Sequence, residues 1–399
     1  LACGVRWGKT MCAAMEAIAA AMQPRQASLG WIVAPTYDLS DRVFRQVVKV
    51  VQHKLPHRVI RWSESERRLI MRNFGGGLSE IRAKSADNPT SLLGEGLDFV
   101  ILDEAARTHA SVWDSYLSQR LIDRQGWALL ISTPFGKGWF YDAWRLGQPG
   151  GDPDYVSWNQ PSLQNPLLDR DEIELERGRL PEQVFRQEYE AVFIEEAGCV
   201  FRDVREVAHG QFQAPIPGAR YYAGLDLARV QDYSVLTIMD ESQRVVHIDR
   251  FQRMNWESQL SRLQLSLARY NRALVVVDSS GVGDPICEAL SRLGCRVKPF
   301  GMTSNSKTSL INNLTLAIEQ RKIVLPSAQV FPECVEELEA YHFQLSESGH
   351  PRMSSPYGKH DDVVISVALA LWATRFKPRD LRFGVLTGAG VRWIRPVRI

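Results

Sequence analysis

The sequence Cys3-Gly4-Val5-Arg6-Trp7-Gly8-Lys9-Thr10 stands at the beginning of this 399-residue chain, and residues 11–22, rich in Ala and Met, follow it as a predicted helix. Small residues let backbone N–H groups curl around an anion, and the positive N-terminal end of a helix attracts that anion. In such a phosphate-binding loop, Lys9 reaches the terminal phosphates and Thr10 ligates Mg²⁺. Cys3 stands where the usual pattern has its first glycine, and a plain glycine turn is the alternative for so short a motif.

The composition is that of an ordinary globular chain with room for two domains. Apolar residues make up 45% and charged residues 24%, and the formal net charge of +2 gives no overall polyanion-binding signature. The six cysteines show no paired spacing, which excludes a disulfide framework and a cysteine-based zinc site. The longest apolar run, residues 363–373, is too short to span a bilayer and predicts a buried helix.

Short apolar runs alternate with helical patterns through the first 150 residues. Residues 29–35, 97–104 and 127–131 have the pattern of buried strands, whereas apolar residues recur at helical spacing after Thr36. This regular alternation predicts a mostly parallel, doubly wound α/β sheet.

The strand at 97–104 ends in two adjacent carboxylates, Asp103 and Glu104. In a nucleotide hydrolase, the first carboxylate holds Mg²⁺ and the second orients and deprotonates the attacking water. We expect this strand to lie beside the phosphate-binding loop. A solvated strand-end turn is the alternative for the pair alone, but its combination with Gly8-Lys9-Thr10 favours nucleotide hydrolysis.

Ser132 and Thr133 follow the strand at 127–131, where an open α/β sheet places phosphates. They can sense the γ-phosphate and relay its loss, and a helix N-cap is the alternative. The character of the chain then changes, because a break at 164–166 precedes a charged helix at 169–178 and a second helix that starts at Pro181. We interpret this segment as a helical lid or linker.

The second half begins again with strands, and its acidic residues stand at the ends of apolar elements. Asp226 belongs to a predicted hairpin, Asp278 ends a later buried strand, and Asp361 and Asp362 introduce the apolar helix at 363–373. A charge in such a place is costly unless metal or partners compensate it. Three or four carboxylates from three elements can hold two Mg²⁺ or Mn²⁺ ions that activate water and stabilise the leaving oxygen of a phosphodiester.

The metal-binding role of two further residues near these carboxylates is left undecided by the sequence. Asp232, just past the hairpin bend, is an accessory metal candidate, and His360 has the position of a polar cap more than of a ligand. For each acidic residue taken separately, a capping or turn role is the alternative. The order of strand hairpin, later strand and late helix resembles the arrangement of ribonuclease H-like nucleases.

The ordered set of motifs resembles the large terminase subunit of tailed double-stranded DNA bacteriophages over nearly the whole chain. The residues that carry the resemblance are Gly4 to Thr10, Val100 to Ala105, Ser132-Thr133-Pro134, Gly224-Leu225-Asp226, Val277-Asp278, Gly281 to Asp284 and His360-Asp361-Asp362. The resemblance implies an N-terminal P-loop ATPase that pumps DNA into a preformed capsid. It also implies a C-terminal RNase H-like domain, a mixed sheet with flanking helices, that cuts concatemeric DNA with two metal ions.

The resemblance also implies roles for individual residues. Glu104 is the catalytic base of the ATPase, Ser132 and Thr133 form a coupling motif, and Arg6 contacts the γ-phosphate. The residues implied to bind ATP and its Mg²⁺ are Gly4, Arg6, Gly8, Lys9, Thr10 and Asp103. The residues implied for nuclease catalysis and metal binding are Asp226, Asp278, Asp361 and Asp362, with Asp232 as an accessory.

One departure from the family pattern concerns the trans-acting arginine finger. At its expected place this chain has Leu92-Leu93-Gly94, so only Arg82, Arg120 and Arg124 are candidates. The phosphate loop also has little chain before it. We interpret this as an N-terminal truncation and expect weak or no ATPase activity from the chain as given, with the nuclease half intact.

The implied partners are double-stranded DNA, the portal protein and the small terminase subunit, with no membrane. The large subunit is implied to form a homo-oligomeric ring on the portal and to be a monomer in free solution. It acts in the host cytoplasm and is not a stable part of the mature virion. Backbone phosphates are contacted without base readout, since packaging must tolerate any sequence, and the loop at 303–307 is a candidate DNA contact.

The expected domains are an ATPase domain at 1–150, a helical lid or linker at 151–197, a connector at 198–218, a nuclease domain at 219–376 and a tail at 377–399. Two other functions fit part of the pattern. One is an ATP-gated RNase H-like nuclease or helicase acting on free DNA, although the usual helicase motifs after Ser132-Thr133-Pro134 are absent. The other is a degenerate, nucleotide-dependent DNA-binding subunit, although the presence of Lys9, Asp103, Glu104 and Asp226 is against it.

Overall fold

A computed structural model of the chain describes residues 1–194, 199–227, 233–280, 283–345, 351–354, 360–376, 383–387 and 390–394. The chain divides into two compact units. The first comprises Leu1–Gly198 and Phe343–Met353, and the second comprises Cys199–His342 and Ser354–Ile399. Within the described ranges, every helix is too short or too polar to cross a bilayer.

The first unit is a predominantly parallel α/β sheet with helices on both faces. Its strands are β1 (Ala2–Cys3), β2 (Ala27–Ala34), β3 (Val59–Ser63), β4 (Arg68–Arg72), β5 (Leu78–Ser85), β6 (Phe99–Asp103), β7 (Trp127–Ile131) and β8 (Asn159–Gln160). Its helices are α1 (Lys9–Met22), α2 (Tyr37–Lys54), α3 (Trp139–Leu146), α4 (Arg170–Arg177) and α5 (Glu182–Glu188). The main sheet has the order β3-β4-β5-β2-β6-β7, in which β5, β2, β6 and β7 are parallel and β3 and β4 are antiparallel. The predicted doubly wound fold is confirmed.

Alternating side chains of β2 divide the core of this unit between the two faces of the sheet. Ile32 belongs to a buried cluster with the apolar stripes of α1 and α2, which include Ile18 and Val47. Trp31, on the opposite face, belongs to a second cluster that includes Phe140 of α3. Both faces of the sheet are therefore covered, and its carboxyl edge is left for the site.

The strand that leads into the phosphate-binding loop is β1, and it was not predicted. Its Cys3 N–H donates to Ser132 O, 2.9 Å away, so β1 lies along the end of β7, and it also pairs in parallel with β8. The expectation that β6 lies beside the phosphate-binding loop is wrong by one strand, because β7 stands between β6 and β1. Two-residue strands formed by such distant pairings leave no local sequence pattern.

The second unit contains a mixed five-stranded sheet. Its strands are β9 (Ala208–Gly210), β10 (Tyr221–Asp226), β11 (Ser234–Asp240), β12 (Val245–Phe251), β13 (Leu274–Asp278), β14 (Arg296–Phe300) and β15 (Leu325–Pro326). Its helices are α6 (Val204–Val207), α7 (Trp256–Arg269), α8 (Gly283–Arg292), α9 (Ser304–Glu319), α10 (Pro332–Ala340) and α11 (Asp362–Ala373). The sheet has the order β12-β11-β10-β13-β14, with antiparallel pairs on the β12 side of β10 and parallel pairs on the β14 side. This is the predicted mixed sheet with flanking helices.

The four remaining strands form two two-stranded sheets. They are β16 (His342–Leu345), β17 (Pro351–Ser354), β18 (Phe383–Thr387) and β19 (Gly390–Ile394), and β16 pairs with β17 and β18 with β19. The antiparallel pair of β18 and β19 lies within the segment predicted as a tail.

Helix α11 packs directly on β10, and a glycine makes this possible. A Cβ atom at Gly224 would lie 2.1 Å from Ser366 O and 2.3 Å from Ala370 N. The Ser366 hydroxyl donates to Gly224 O at 2.9 Å and contacts Thr237 Oγ1 at 2.8 Å. The close approach fixes the N-terminal end of α11, which carries Asp362, relative to the end of β10.

Candidate active sites

A cleft of about 530 Å³ opens at the phosphate-binding loop. Its lining residues are Val5, Arg6, Gly8, Lys9, Thr10, Met11, Gln46, Glu104, Arg107, Thr133 and Glu188. The predicted ATP-site residues Arg6, Gly8, Lys9 and Thr10 are therefore together, and Glu104 faces them from the end of β6.

A chain of contacts crosses this cleft from the lysine to the glutamate. The Lys9 ammonium donates to Thr133 Oγ1 at 2.6 Å. The hydroxyl of the adjacent Ser132 lies 2.8 Å from Thr133 O and 3.3 Å from Glu104 Oε2, and its single proton is shared between these two acceptors. Glu104 itself has a left-handed backbone, with φ 52° and ψ 43°, which is a strained conformation for a residue with a side chain. The turn directs its carboxylate toward Ser132 at the end of β7.

Asp103 lies deeper in the unit than Glu104, with only 6% of its surface exposed. Burial raises the pKa of Asp103 to about 6, and the negative charge of Glu104 adds to the shift. The Glu104 N–H donates to Asp103 Oδ1 at 3.1 Å, and this bond together with the Lys9 charge opposes the shift. A buried carboxylate beside the phosphate-binding lysine has the chemistry of a Mg²⁺ ligand.

Gly4 serves the packing of the phosphate-binding loop. A Cβ atom there would lie 2.4 Å from Ser162 Oγ and 2.5 Å from Tyr189 O, which belong to the segment predicted as a lid. The same segment holds the loop backbone, because the Ser162 hydroxyl donates to Val5 O at 2.6 Å and the Asn165 amide donates to Arg6 O at 2.9 Å. We call residues 159–189 the loop-clamping segment.

Two charged residues in the cleft were missed by sequence reasoning. Arg107 follows Glu104 by one turn, and Glu188 ends α5 of the loop-clamping segment. Burial raises the pKa of Glu188, while Arg107 and Lys9 oppose that shift. The position of Arg107 three residues after Glu104 is the only local signal for it, and nothing in the sequence around Glu188 marks it.

Two of the three candidate finger arginines, Arg82 and Arg124, have carboxylate partners within this unit. Arg124 donates to Asp98 Oδ2 at 2.9 Å, and Arg82 is bonded to Glu80 and to Glu95, the latter at 2.7 Å. Arg120 has a buried Nε atom with no hydrogen-bond partner among the described residues. The lining of the cleft includes none of the three, and their role as a finger stays a prediction.

In the second unit, the predicted acidic residues come from β10, β13 and the start of α11. Asp226 ends β10, Asp278 ends the neighbouring parallel strand β13, and Asp361 and Asp362 begin α11. Burial raises the pKa of Asp226 well above its usual range, and the negative charges of Asp362, Asp278 and Asp361 raise it further. The four carboxylates therefore form one electrostatic cluster. Asp232, the fifth predicted ligand, lies outside the described residues.

Groups of the protein itself contact the other three carboxylates. Ser280 N–H donates to Asp278 Oδ1 at 2.8 Å, Tyr233 N–H donates to Asp362 Oδ2 at 3.1 Å, and Lys307 Nζ lies 3.3 Å from Asp361 Oδ2. No three His, Cys, Asp or Glu side chains of the described residues are grouped closely enough to hold a metal ion in this conformation. The donor set nevertheless fits a hard divalent cation, since it consists of mutually repelling carboxylates.

One residue beside the acidic cluster, Glu337, was not predicted, and the 303–307 stretch beside it has a different structure from the predicted loop. Glu337 of α10 accepts a hydrogen bond from Val363 N–H at 2.9 Å and so holds the first turn of α11. His360 lies 3.7 Å from Asp362 Oδ2. The 303–307 stretch predicted as a DNA-contacting loop is the start of α9, with Thr303 as N-cap, and its Lys307 reaches Asp361.

Comparison with known proteins agrees with both units. Residues 2–206 match the family model "Terminase large subunit, T4likevirus-type, N-terminal", and residues 223–373 match "Terminase RNaseH-like domain". The chain is 34% identical to the terminase large subunit of Thermus virus P23-45, over 92% of this chain and 82% of the relative. It is 24% identical to the terminase large subunit of Escherichia phage T5, over 83% of this chain and 76% of the relative.

A likeness to a solved structure extends over most of the chain. The large terminase of a thermophilic bacteriophage is 14% identical in sequence. The match extends over 94% of this chain and 92% of that protein, with a TM-score of 0.58, which shows a shared fold. With two family models in the same order and a relative that is 34% identical over 92% of this chain, this chain belongs to the large terminase subunit family, and it combines that family's packaging ATPase with its RNase H-like nuclease.

Proposed function

We propose that the cleft at the phosphate-binding loop hydrolyses ATP, with Glu104 as the general base. The observation that carries this proposal is the path of contacts from Lys9 through Thr133 and the adjacent Ser132 to Glu104. This path joins the phosphate-binding Lys9 to the base Glu104. Loss of the γ-phosphate would therefore change the contacts of both Lys9 and Glu104. Ser132 and Thr133 are in this way the coupling residues.

The other residues of the cleft bind and orient the nucleotide. Gly8 and Thr10 offer backbone N–H groups at the start of α1, and Lys9 and Arg6 neutralise phosphate charge. Gly4 supports the loop from behind. Thr10 and Asp103 would hold a Mg²⁺ ion, which would supply further neutralisation of the phosphates. Glu104 then accepts the proton of the attacking water.

Replacement of Glu104 tests this assignment. Glu104→Gln keeps the shape of the side chain and removes its basicity, so we expect ATP hydrolysis to fall by at least about 100-fold, as for loss of a general base. Binding of a fluorescent ADP analogue should stay within about threefold, because the phosphate-binding residues are unchanged. Undiminished hydrolysis by Glu104→Gln would contradict the role as base.

We infer that the acidic cluster of the second unit cuts DNA with two divalent ions. Asp226 ends β10, which pairs with β13 and packs against α11, the elements that carry the other acids of the cluster. Its raised pKa reflects the negative charge that a cation would balance. Asp278, Asp361 and Asp362 would complete the set, with Asp232 as accessory. Two Mg²⁺ or Mn²⁺ ions bound there supply activation of water and stabilisation of the leaving oxygen.

Plasmid cleavage in Mn²⁺ tests this second site. Asp226→Ala and Asp278→Ala should each abolish cleavage, because each removes a ligand that the remaining acids cannot replace. Asp240→Asn, which changes an acid of β11 outside the cluster, is the matched control and should cut normally. Cleavage by both alanine variants would overturn the assignment.

The family places this chain in DNA packaging, and we propose the finer partners from the same membership. They are double-stranded DNA contacted through its phosphates, the portal protein and the small terminase subunit. We propose a monomer in free solution that forms a homo-oligomeric ring on the portal, in the host cytoplasm. DNA protection from added nuclease, measured with procapsids and ATP, tests the packaging role, and sedimentation tests the monomer.

A further inference from the structure

Arg107 lies between two carboxylates in the nucleotide cleft. Its Nε atom is 3.9 Å from Glu104 Oε2, and its Nη2 atom is 3.8 Å from Glu188 Oε1. Both separations exceed hydrogen-bond length, so the guanidinium is shared between the two acids and committed to neither.

The position of Arg107 is set from its own side of the cleft. The Arg107 N–H donates to Glu104 O at 2.9 Å within a single 3₁₀ turn. Its guanidinium stacks on the ring of Phe135, 4.5 Å from the ring centre, and the Trp139 indole donates to the following Thr108 O at 2.7 Å. The guanidinium is therefore held beside Glu104 by residues that do not belong to the loop-clamping segment.

Glu188 reaches the cleft from the opposite side. Its backbone oxygen accepts a hydrogen bond from Val5 N–H at 2.6 Å, so the end of α5 is seated on the phosphate-binding loop. This seating uses only main-chain atoms, so the Glu188 side chain, which is also hydrogen-bonded to the Gln187 side chain, can face Arg107. The Glu188 side chain therefore reaches the cleft only when the end of α5 contacts the phosphate-binding loop.

We propose that Glu188 is a positioning residue that draws Arg107 away from Glu104 and so leaves the Glu104 carboxylate free to orient the attacking water. This rests on the proposed role of Glu104. Without the Glu188 charge, the guanidinium has one carboxylate left and closes on Glu104 as a charge-assisted hydrogen bond. A carboxylate oxygen that is bonded to Arg107 is no longer available to accept the hydrogen bond of the attacking water. Seating of α5 on the phosphate-binding loop thereby becomes a condition for hydrolysis.

The test is a double-mutant cycle on the full chain, read by single-turnover hydrolysis of ATP with enzyme in excess. Glu188→Gln keeps the main-chain bond to Val5 and should slow hydrolysis about tenfold, which corresponds to about 1.4 kcal/mol. The same substitution in an Arg107→Ala background should change the rate less than about twofold, since the competing guanidinium is gone. The affinity of each variant for an ADP analogue sets the enzyme concentration needed for saturation, so that differences in binding do not enter the comparison of rates.

Glu190→Gln is the matched control. Glu190 lies two residues further on, pairs with Arg177 at 2.7 Å and is not part of the cleft lining, so its loss should leave the rate unchanged. Equal slowing by Glu188→Gln in both backgrounds, or no slowing in either, would overturn the proposal. Glu104→Gln separates the two claims, because normal hydrolysis by that variant would refute the base, whereas an inactive Glu104→Gln with equal slowing refutes the Arg107–Glu188 arrangement alone.

Discussion

Lys9 and Thr133 are 124 positions apart in the sequence, yet the ammonium and the hydroxyl are 2.6 Å apart in the fold. At the scale of single residues, the nucleotide site depends on such non-local contacts. The residue types could be predicted from the motifs. Their mutual distances depend on the pairing of β1 with the end of β7.

Thr133→Val removes the acceptor of the Lys9 ammonium and preserves the shape of the side chain. Hydrogen bonds to charged groups contribute about 1.5–3 kcal/mol, so we expect ATP hydrolysis to fall roughly tenfold or more. Thr133→Ser keeps the hydroxyl and is the control, with a rate close to that of the unmodified chain. Steady-state phosphate release measures both, and equal rates for the two variants would contradict a role of the hydroxyl.

His247 of β12 allows a prediction about pH. Burial lowers the pKa of His247, with Arg269 and Arg262 contributing and Asp249 opposing. The folded state then binds its proton less readily than the unfolded state, whose histidine pKa is about 6.5. This contribution to stability is present above pH 6.5 and is lost as the pH falls through the lowered folded pKa.

Between pH 7 and pH 5, the melting temperature of the unmodified chain should therefore fall more than that of His247→Phe. The phenyl ring keeps the stacking on Tyr270, whose ring centre lies 5.6 Å away. His209→Gln, at an exposed position of the same unit, should retain the pH dependence of the unmodified chain. Parallel curves for His247→Phe and the unmodified chain would contradict the prediction.

At the scale of elements, α11 and β10 are the pair that positions the acidic cluster. Gly224→Ala would place a methyl group against the backbone of α11, at 2.1 Å from Ser366 O. Because neither backbone can give way, we expect a loss of roughly 3 kcal/mol or more in stability and loss of Mn²⁺-dependent cleavage. Gly301→Ala, where nothing lies within 4 Å, is the control for denaturation and cleavage. Equal stability of the two variants would mean that α11 can shift.

Elements with strong local patterns could be predicted, and elements made by distant pairings could not. The apolar run of β6 and the helical spacing of α2 both appear where expected. The two helices of the predicted lid are present as α4 and α5, but their seating on the phosphate-binding loop has no periodic signature. Glu188 is the clearest case, because a glutamate at a helix end is by default solvated. The hydrogen bond from Val5 N–H to its backbone oxygen, a contact between distant parts of the sequence, brings it to the cleft.

At the scale of the whole molecule, the two chemical sites belong to different compact units, each with its own buried core. The domain bounds predicted from the sequence stay predictions. The division into two units leads to an expectation about how ligands affect thermal stability. A ligand that binds only one site should stabilise its own unit by RT ln(1 + [L]/Kd), which is about 2.7 kcal/mol at 100 times Kd.

Calorimetry of the full chain can separate the two contributions. ADP with Mg²⁺ should raise the thermal transition of the first unit, and Lys9→Ala should remove that rise while the response to Mn²⁺ remains. Asp226→Ala should do the reverse, because Mn²⁺ then lacks its central ligand. Loss of both responses in either single variant would contradict the independence of the sites.

The seating of residues 159–189 on the phosphate-binding loop has a consequence for biosynthesis. Ala2 N–H is bonded to Trp158 O and Val5 N–H to Glu188 O, so the loop at the start of the chain is completed by residues made more than 150 positions later. Domains fold as units while synthesis proceeds at about 5–20 residues per second. At this rate the phosphate-binding loop must wait on the order of ten seconds for its supports, and a nascent chain halted before Glu188 should fail to retain nucleotide.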